Sequence, residues 1–265
     1  MTTDQLELLI AEVRTIAKNA GNKILEVYND IENFQVETKD DNSPLTRADR
    51  EANKIICEGL EKLDPLYPII SEENKLMEYA ERKDFEYFWM VDPLDGTKEF
   101  IKRNGEFTVN IALIKNRKSV AGVVYTPVSD DMYYAIEGQG AYLVKDGNNS
   151  KLNAASYHPS DKGLSIVCSR SHLNEETQAF IDDYNEPLKV SKGSSLKFLL
   201  IAAGDAHIYP RLAPTMEWDT AAAQIILEEA GGSVMIAGTD NPVRYNKENL
   251  LNPHFIAFAK KSDTV

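Results

Sequence analysis

W-M-V-D-P-L-D-G-T-K-E-F-I-K-R-N-G-E-F-T-V-N, residues 89–110, is the stretch around which the rest of the chain is organised. The apolar run from Tyr87 to Val91 reads as a buried strand that ends at Asp92. Pro93 lacks a backbone donor and fixes its own φ, so regular strand pairing is expected to stop there. Asp95 follows three residues after Asp92, and Gly96-Thr97 opens a polar segment suited to starting a helix. Two carboxylates at the carboxyl end of a strand, beside a glycine and a hydroxyl, suit a hard divalent cation. Mg²⁺ takes oxygen ligands in octahedral geometry and keeps positions for water and phosphate. Amides at a turn or helix start can then hold phosphate oxygens. Taken alone, D-P and D-G also read as punctuation in a surface turn. Further acidic clusters along the chain tip the balance towards a metal site.

Upstream, residues 67–71 (Y-P-I-I-S) read as a short strand ending at Ser71-Glu72-Glu73. Adjacent acids after a strand are commonly solvated surface. Glu72 stands twenty residues before Asp92, which fits two neighbouring strands delivering their ends to one place. Before that, apolar residues from Leu6 to Val27 recur at helical spacing, so residues 4–28 read as one amphipathic helix with a core-facing stripe. Residues 34–39 alternate like an exposed strand, and K-D-D-N-S-P reads as a polar loop. Thr46-Arg47-Ala48-Asp49 opens a second helix. Thr46 with an acid three residues on resembles a capping box, which gives Asp49 a structural reason to be there.

Downstream, segments 107–114, 119–126, 131–136 and 140–144 are rich in β-branched and aromatic residues and separated by short turns, which predicts an antiparallel meander. Residues 145–160 are polar and read as loop. Strands at 164–169, 187–191, 206–209, 233–236 and 255–259 then alternate with helices at 174–183, 194–203 and 217–230. The change of pattern places a boundary near residue 150. Residues 1–150 would hold the helix pair and the antiparallel sheet, and 151–265 an α/β unit.

The chain has 265 residues, 43% hydrophobic and 27% charged, enough for a sizeable core in one large domain or two small ones. Its net charge of −13 opposes tracking a nucleic-acid backbone. Small anionic substrates stay open, because a bound cation reverses the local sign. Cys57 and Cys168 lie far apart in apolar neighbourhoods and read as reduced core thiols. The N-terminus lacks the basic and apolar blocks of a secretory signal, and no apolar run approaches a membrane span, so a soluble, cytoplasmic protein is expected.

D-P-L-D-G-T (92–97), S-E-E (71–73) and W-D-T-A-A (218–222), in that order, resemble the inositol monophosphatase superfamily of Mg²⁺-dependent phosphatases. The resemblance covers about Leu6 to Phe258. The longer string from Asp92 to Ile114, with S-R-S-H (169–172) and G-S-S-L-K-F (193–198), is similar to one branch, the CysQ-type 3′(2′),5′-bisphosphate nucleotidases. The family implies an α/β (α+β) fold, a layered αβαβα sandwich of the inositol monophosphatase and fructose-1,6-bisphosphatase type. It implies that Glu72, Asp92, the Leu94 carbonyl, Asp95 and Asp219 bind two or three Mg²⁺ ions. Asp49 and Thr97 would position and deprotonate the attacking water, and Glu73 would help hold a water. The amides of Gly96 and Thr97 would hold the phosphate. Ser169, His172, Gly193 and Lys197 would hold the nucleotide, with Glu72, Leu94, Asp95 and Asp219 also bordering the substrate.

What the resemblance implies is removal of the 3′-phosphate of adenosine 3′,5′-bisphosphate, in the recycling of sulfur-assimilation nucleotides, with 3′-phosphoadenylyl sulfate as a further substrate. Peripheral association at the cytoplasmic face of the inner membrane stays open. At a helix start, Asp219 also reads as a carboxylate favourably placed on the helix dipole. Gly193 to Lys197 reads as a helix opening whose amides suit an anion. Three alternatives remain at this level. One is an inositol or sugar monophosphatase on the same scaffold, against which K-E-F-I-K-R-N-G-E-F weighs. A glycosidase would need only an acid/base pair. A non-catalytic nucleotide or metal sensor would keep the ligands without turnover.

Overall fold

Alternate residues of the central strand point to two different cores, and this sets the layers. Trp89 and Val91 join one buried cluster, whereas Phe88 and Met90 join the other. Successive strand side chains face opposite sides of a sheet, so a strand apolar on both faces must be covered on both. The protein is described here from a computed structural model covering residues 2–30, 36–38, 44–169 and 174–262.

In chain order the elements are α1 (Thr3–Asn29), β1 (Val36–Thr38), β2 (Pro44–Thr46), α2 (Arg47–Leu60), β3 (Ile69–Ser71), α3 (Tyr79–Arg82), β4 (Tyr87–Asp95), α4 (Thr97–Ile101), β5 (Thr108–Lys115), β6 (Lys118–Thr126), β7 (Asp131–Ile136), β8 (Gly140–Lys145) and β9 (Asn148–Lys151). There follow β10 (Ser156–Tyr157), β11 (Ser165–Ser169), α5 (Glu175–Asp182), β12 (Leu188–Lys192), α6 (Leu196–Ala202), β13 (Ile208–Arg211), a 3₁₀ turn (Glu217–Asp219), α7 (Ala221–Glu229), β14 (Ser233–Ile236), β15 (Phe255–Phe258) and β16 (Lys260–Lys261).

Strands β3 to β9 form a seven-stranded sheet in sequence order. Its first pair is parallel and the rest antiparallel, as short hairpin connections require. Helices α1 and α2 cover one face, burying Ile10, Val13, Ile24, Ala52 and Ile56 against Trp89, Val91, Ile111 and Val123. Helices α6 and α7 cover the other. Gly122 on β6 permits this contact, since a Cβ there would lie 2.5 Å from the Ala222 carbonyl oxygen of α7. Beyond α6 and α7 lies a five-stranded sheet in the order β12-β11-β13-β15-β14. The layered αβαβα sandwich is therefore the observed architecture, with α5 in the last layer.

The structure departs from the sequence reading in three places. Strand β4 does not end at Asp92 but continues through Pro93 to Asp95. Asp92 pairs opposite Asn110 and Asp95 opposite Thr108, so β4 takes three steps where β5 takes two. That extra residue is a β-bulge, where a missing proline donor costs no ladder hydrogen bond. Residues 145–160 are not all loop. β9 pairs with β8, and β10 runs parallel to β16. Every residue of β9 is exposed, so no apolar alternation marks it. The expected helix 217–230 is a 3₁₀ turn followed by α7, separated at Thr220. Of the expected strand 34–39, residues 36–38 are seen; the loop 39–43 lies outside the described residues.

Candidate active site

The parallel pair β3–β4 sets Ser71 opposite Val91, and the Glu72 amide donates to the Val91 carbonyl at 3.1 Å. The β3–β4 pairing therefore ends with Glu72 next to Asp92. Asp219 arrives from the other side of the core on the 3₁₀ turn, its carboxylate accepting from the Met216 amide at 2.9 Å. One carboxylate oxygen each from Glu72, Asp92 and Asp219 lies within 4.8 Å of the others. Burial, then Glu72, Asp95, Asp219 and Asp49, hold the Asp92 carboxyl well above the usual carboxylate range. Burial, then Asp95 and Glu72, push Asp219 up to about 8. Converging buried acids are costly as anions unless something positive joins them.

The bulge in β4 aims the rest of the acidic group. Asp92 Oδ1 accepts from the Leu94 amide at 3.1 Å, closing a tight turn around Pro93. Asp95 Oδ2 accepts from the Ser195 amide at 2.6 Å, from Ser194 Oγ at 2.8 Å and from Asn110 Nδ2 at 3.4 Å. Asp95 lies apart from the three-carboxylate cluster in this arrangement, although it borders the same cavity. Gly96 sits at φ 100°, and a Cβ there would lie 2.9 Å from the Glu106 carbonyl, so only glycine suits the turn into α4. Thr97 Oγ1 then faces Asp49 Oδ1 at 3.1 Å and the Leu94 carbonyl at 3.4 Å. Asp49 is buried and also accepts from the Thr46 amide at 2.7 Å and Thr46 Oγ1 at 2.5 Å. The capping box is thus real, and its acid reaches Thr97 with its second oxygen.

A cavity of about 230 Å³ lies between the two halves of the chain; Asp49 does not border it and reaches it only through Thr97. Glu72, Asp92, Leu94, Asp95, Gly96 and Thr97 come from the first half, and Ser169, Gly193, Lys197 and Asp219 from the second. Glu73 is half-buried beside the Ser71 hydroxyl, which accepts from its amide at 3.4 Å, and does not border the cavity. His172 lies outside the described residues.

The expectation that the Gly193 turn offers open amides is corrected. The Gly193 amide donates to Glu106 Oε2 at 2.8 Å, and the Ser195 amide is taken by Asp95. Protein carboxylates from β4 and from the loop between α4 and β5 have already claimed the anion position. Lys197 is also turned inward. Its Nζ donates to the Ser194 carbonyl at 2.5 Å and the Lys192 carbonyl at 3.5 Å, and burial lowers its ammonium to about 8.

The cavity also holds a cation that no sequence motif marks. Arg211, at the end of β13, borders the cavity and donates through Nη2 to the Pro214 carbonyl at 2.7 Å. Its Nε is buried with no hydrogen-bond partner among the described residues, which leave that donor unfilled. A signal existed: the residue ends a strand of the second sheet, eight positions before Asp219.

An acidic cavity between the two halves of a layered α/β sandwich, with three carboxylates close enough to share one cation, defines the class. The chain belongs to the inositol monophosphatase family, whose model matches residues 4–262. It is 43% identical to the 3′(2′),5′-bisphosphate nucleotidase CysQ of Salmonella typhimurium over 247 residues, 93% of this chain and 98% of that protein. The crystal structure of CysQ from Bacteroides thetaiotaomicron, 45% identical, superposes with a TM-score of 0.81, covering 93% of this chain and 95% of that one. The suppressor protein suhB from Bartonella henselae is similar at 27% identity, with a TM-score of 0.77, covering 95% of this chain and 94% of that one. No helix among the described residues is long and apolar enough to cross a membrane.

Proposed function

We propose that this protein is a Mg²⁺-dependent 3′(2′),5′-bisphosphate nucleotidase that converts adenosine 3′,5′-bisphosphate to AMP and phosphate. One observation carries this reading. A single cavity takes Glu72, Asp92 and Asp95 from the first half and Ser169, Lys197 and Arg211 from the second. Acids that need a cation therefore face a second set of groups fit for the rest of an anionic substrate. The 43% identity to CysQ supports the nucleotide branch.

The donor set fits hard cations, since it is all oxygen and includes a buried carboxyl, Asp92, crowded by four other acids. Glu72, Asp92, the Leu94 carbonyl, Asp95 and Asp219 would hold Mg²⁺. When bound, Mg²⁺ supplies Lewis-acid activation of water and screens the phosphate charge. Thr97 Oγ1 holds the attacking water and passes its proton towards Asp49 Oδ1, which lies 3.1 Å away. The water oxygen bonds to phosphorus, the bond from phosphorus to the ester 3′-oxygen breaks, and that oxygen takes a proton from a solvent water to become the AMP hydroxyl, while Asp49 returns its proton to solvent. Amides of Gly96 and Thr97 receive the phosphate oxygens. Arg211 holds the remainder of the nucleotide, and the Gly193–Lys197 turn walls that side of the cavity. The substrate is a small phosphorylated nucleotide, not a nucleic-acid chain, and the place of action is the cytoplasm.

The test is phosphate release from adenosine 3′,5′-bisphosphate with Mg²⁺ and with excess chelator. Turnover with Mg²⁺ and none with chelator is expected. Full turnover in chelator would overturn the metal assignment, and no turnover in either would favour a sensor.

A further inference from the structure

A buried cluster of three hydroxyls and one amide joins Asp95 to the turn at residues 193–195. Thr108 Oγ1 lies 2.6 Å from Ser194 Oγ, 2.8 Å from Ser195 Oγ and 3.3 Å from Asn110 Oδ1. Ser195 Oγ donates to Asn110 Oδ1 at 2.9 Å, and Asn110 Nδ2 donates to Asp95 Oδ2 at 3.4 Å. Thr108 is fully buried and Asn110 nearly so. Neither borders the cavity.

A hydroxyl has one hydrogen to give. Ser194 spends its hydrogen on Asp95, and Ser195 spends its own on Asn110. Thr108 also has one hydrogen, which is within reach of Ser194 Oγ, Ser195 Oγ and the Asn110 carbonyl oxygen, so it is the shared node of the cluster. Through Ser194 that node touches the carboxylate of Asp95. Ser194 also holds a left-handed backbone, φ 52°, which a serine rarely adopts without support. Thr108 stands behind that strained residue and fixes both the hydroxyl that Asp95 accepts and the turn carrying Gly193 and Lys197. The same stretch of chain grips the turn a second time, through Glu106 and the Gly193 amide at 2.8 Å.

We propose that Thr108 is a positioning residue that couples cation binding at Asp95 to nucleotide binding in the cavity that the 193–197 turn walls. The inference rests on the function proposed above. Both ligands ask the same network to hold one arrangement. Whichever binds first orders the network for the other, and such coupling is reciprocal. A loss of the Thr108 hydroxyl removes the common support while leaving every cavity-lining side chain in place.

The test measures Mg²⁺ binding by calorimetry, with and without AMP, for wild type, Thr108→Val and Thr108→Ser. Valine keeps the shape and removes the donor. In wild type, AMP is expected to tighten Mg²⁺ binding, and in Thr108→Val that tightening should fall about three- to tenfold, the worth of one hydrogen bond. Thr108→Ser should keep it within about twofold. KM for the bisphosphate should rise in Thr108→Val by a similar factor, with a smaller change for a small phosphate ester. Wild-type coupling retained in Thr108→Val overturns the inference, as does equal loss in Thr108→Ser. If Thr108→Val does not fold, Ser195→Ala removes a hydroxyl bonded to both Thr108 and Asn110 and is read by the same two outcomes. An inactive wild type would count against the proposed function. An active wild type whose Mg²⁺ affinity ignores AMP would count against the coupling alone.

Discussion

Thr97 Oγ1 stands 3.1 Å from Asp49 Oδ1, while the other oxygen of Asp49 caps the helix that carries it. One carboxylate thus serves two ends, holding the start of α2 with Oδ2 and meeting Thr97, which borders the cavity, with Oδ1. Asp49→Asn should keep the cap if its amide oxygen takes the place of Oδ2. Turnover should fall about a hundredfold or more, the worth of a general base, with Mg²⁺ affinity changed little. Steady-state kinetics beside calorimetry checks this. Near wild-type kcat would remove Asp49 from the proton path.

Asp95→Asn separates ligation from structure. Three donors converge on Oδ2, so the asparagine oxygen is expected to occupy that position and leave the amide nitrogen where Oδ1 was. A cation ligand is lost while the hydrogen bonds to Ser194, Ser195 and Asn110 remain. Activity should drop by roughly two orders of magnitude or more, with a melting temperature close to wild type. Normal turnover at saturating Mg²⁺ would show that Asp95 binds no cation.

Arg211→Ala should raise KM for adenosine 3′,5′-bisphosphate about tenfold, the scale of one charge-assisted hydrogen bond, and change hydrolysis of a small phosphate ester far less. Lys197→Ala is expected to act differently. Its ammonium holds the carbonyls of Ser194 and Lys192, so both substrates should suffer together with stability. Equal losses on both substrates in Arg211→Ala would make Arg211 structural too.

The metal-free protein should lose stability as pH rises from about 5 to about 8. Burial and neighbouring acids raise Asp92, and Asp219 is pushed up to about 8. Acids raised in the folded state bind more protons there than in the unfolded chain, so their contribution is present at low pH and fades through the folded value. Saturating Mg²⁺ should flatten this slope, because cation ligation needs the deprotonated carboxylates. Melting curves at several pH values, with chelator and with Mg²⁺, test the sign. A metal-free protein that gains stability over that range would contradict it.

Lys247 holds the turn that carries Asp219. Glu217 is fully buried, accepting from Lys247 Nζ at 2.5 Å and from the amides of Asn246 and Lys247 at 2.6 and 3.0 Å. Lys247→Met leaves that carboxylate without its cation and should cost about 2 kcal/mol, less than for a fully enclosed pair because the lysine keeps partial contact with solvent. Pairing it with Glu217→Gln should recover most of the loss. Thermal or denaturant melts of the three variants decide this.

The acids at the centre were legible in the sequence because strand ends announce themselves. An apolar run broken by D-P-L-D-G, with S-E-E after another short strand, leaves few places for those carboxylates to go. The meander was legible from its β-branched alternation. Strand β9 was not, since all four of its residues face solvent and carry no apolar mark. The bulge in β4 was hidden because proline reads as a stop, although at a bulge its missing donor costs nothing. Arg211, Glu106 and Thr108 show the larger gap. Their roles come from residues some 80 to 100 positions away or from another layer, and no local pattern encodes such a partner.

The measurement that bears most directly on the central claim compares phosphate release from adenosine 3′,5′-bisphosphate and from inositol 1-phosphate by the full chain with Mg²⁺, identifying the nucleotide product. Groups that hold the non-reacting part of a substrate raise turnover as well as affinity. The expected result is kcat/KM for the bisphosphate at least about a hundredfold higher, with AMP and one phosphate formed per turnover. Equal or better cleavage of inositol 1-phosphate would contradict it.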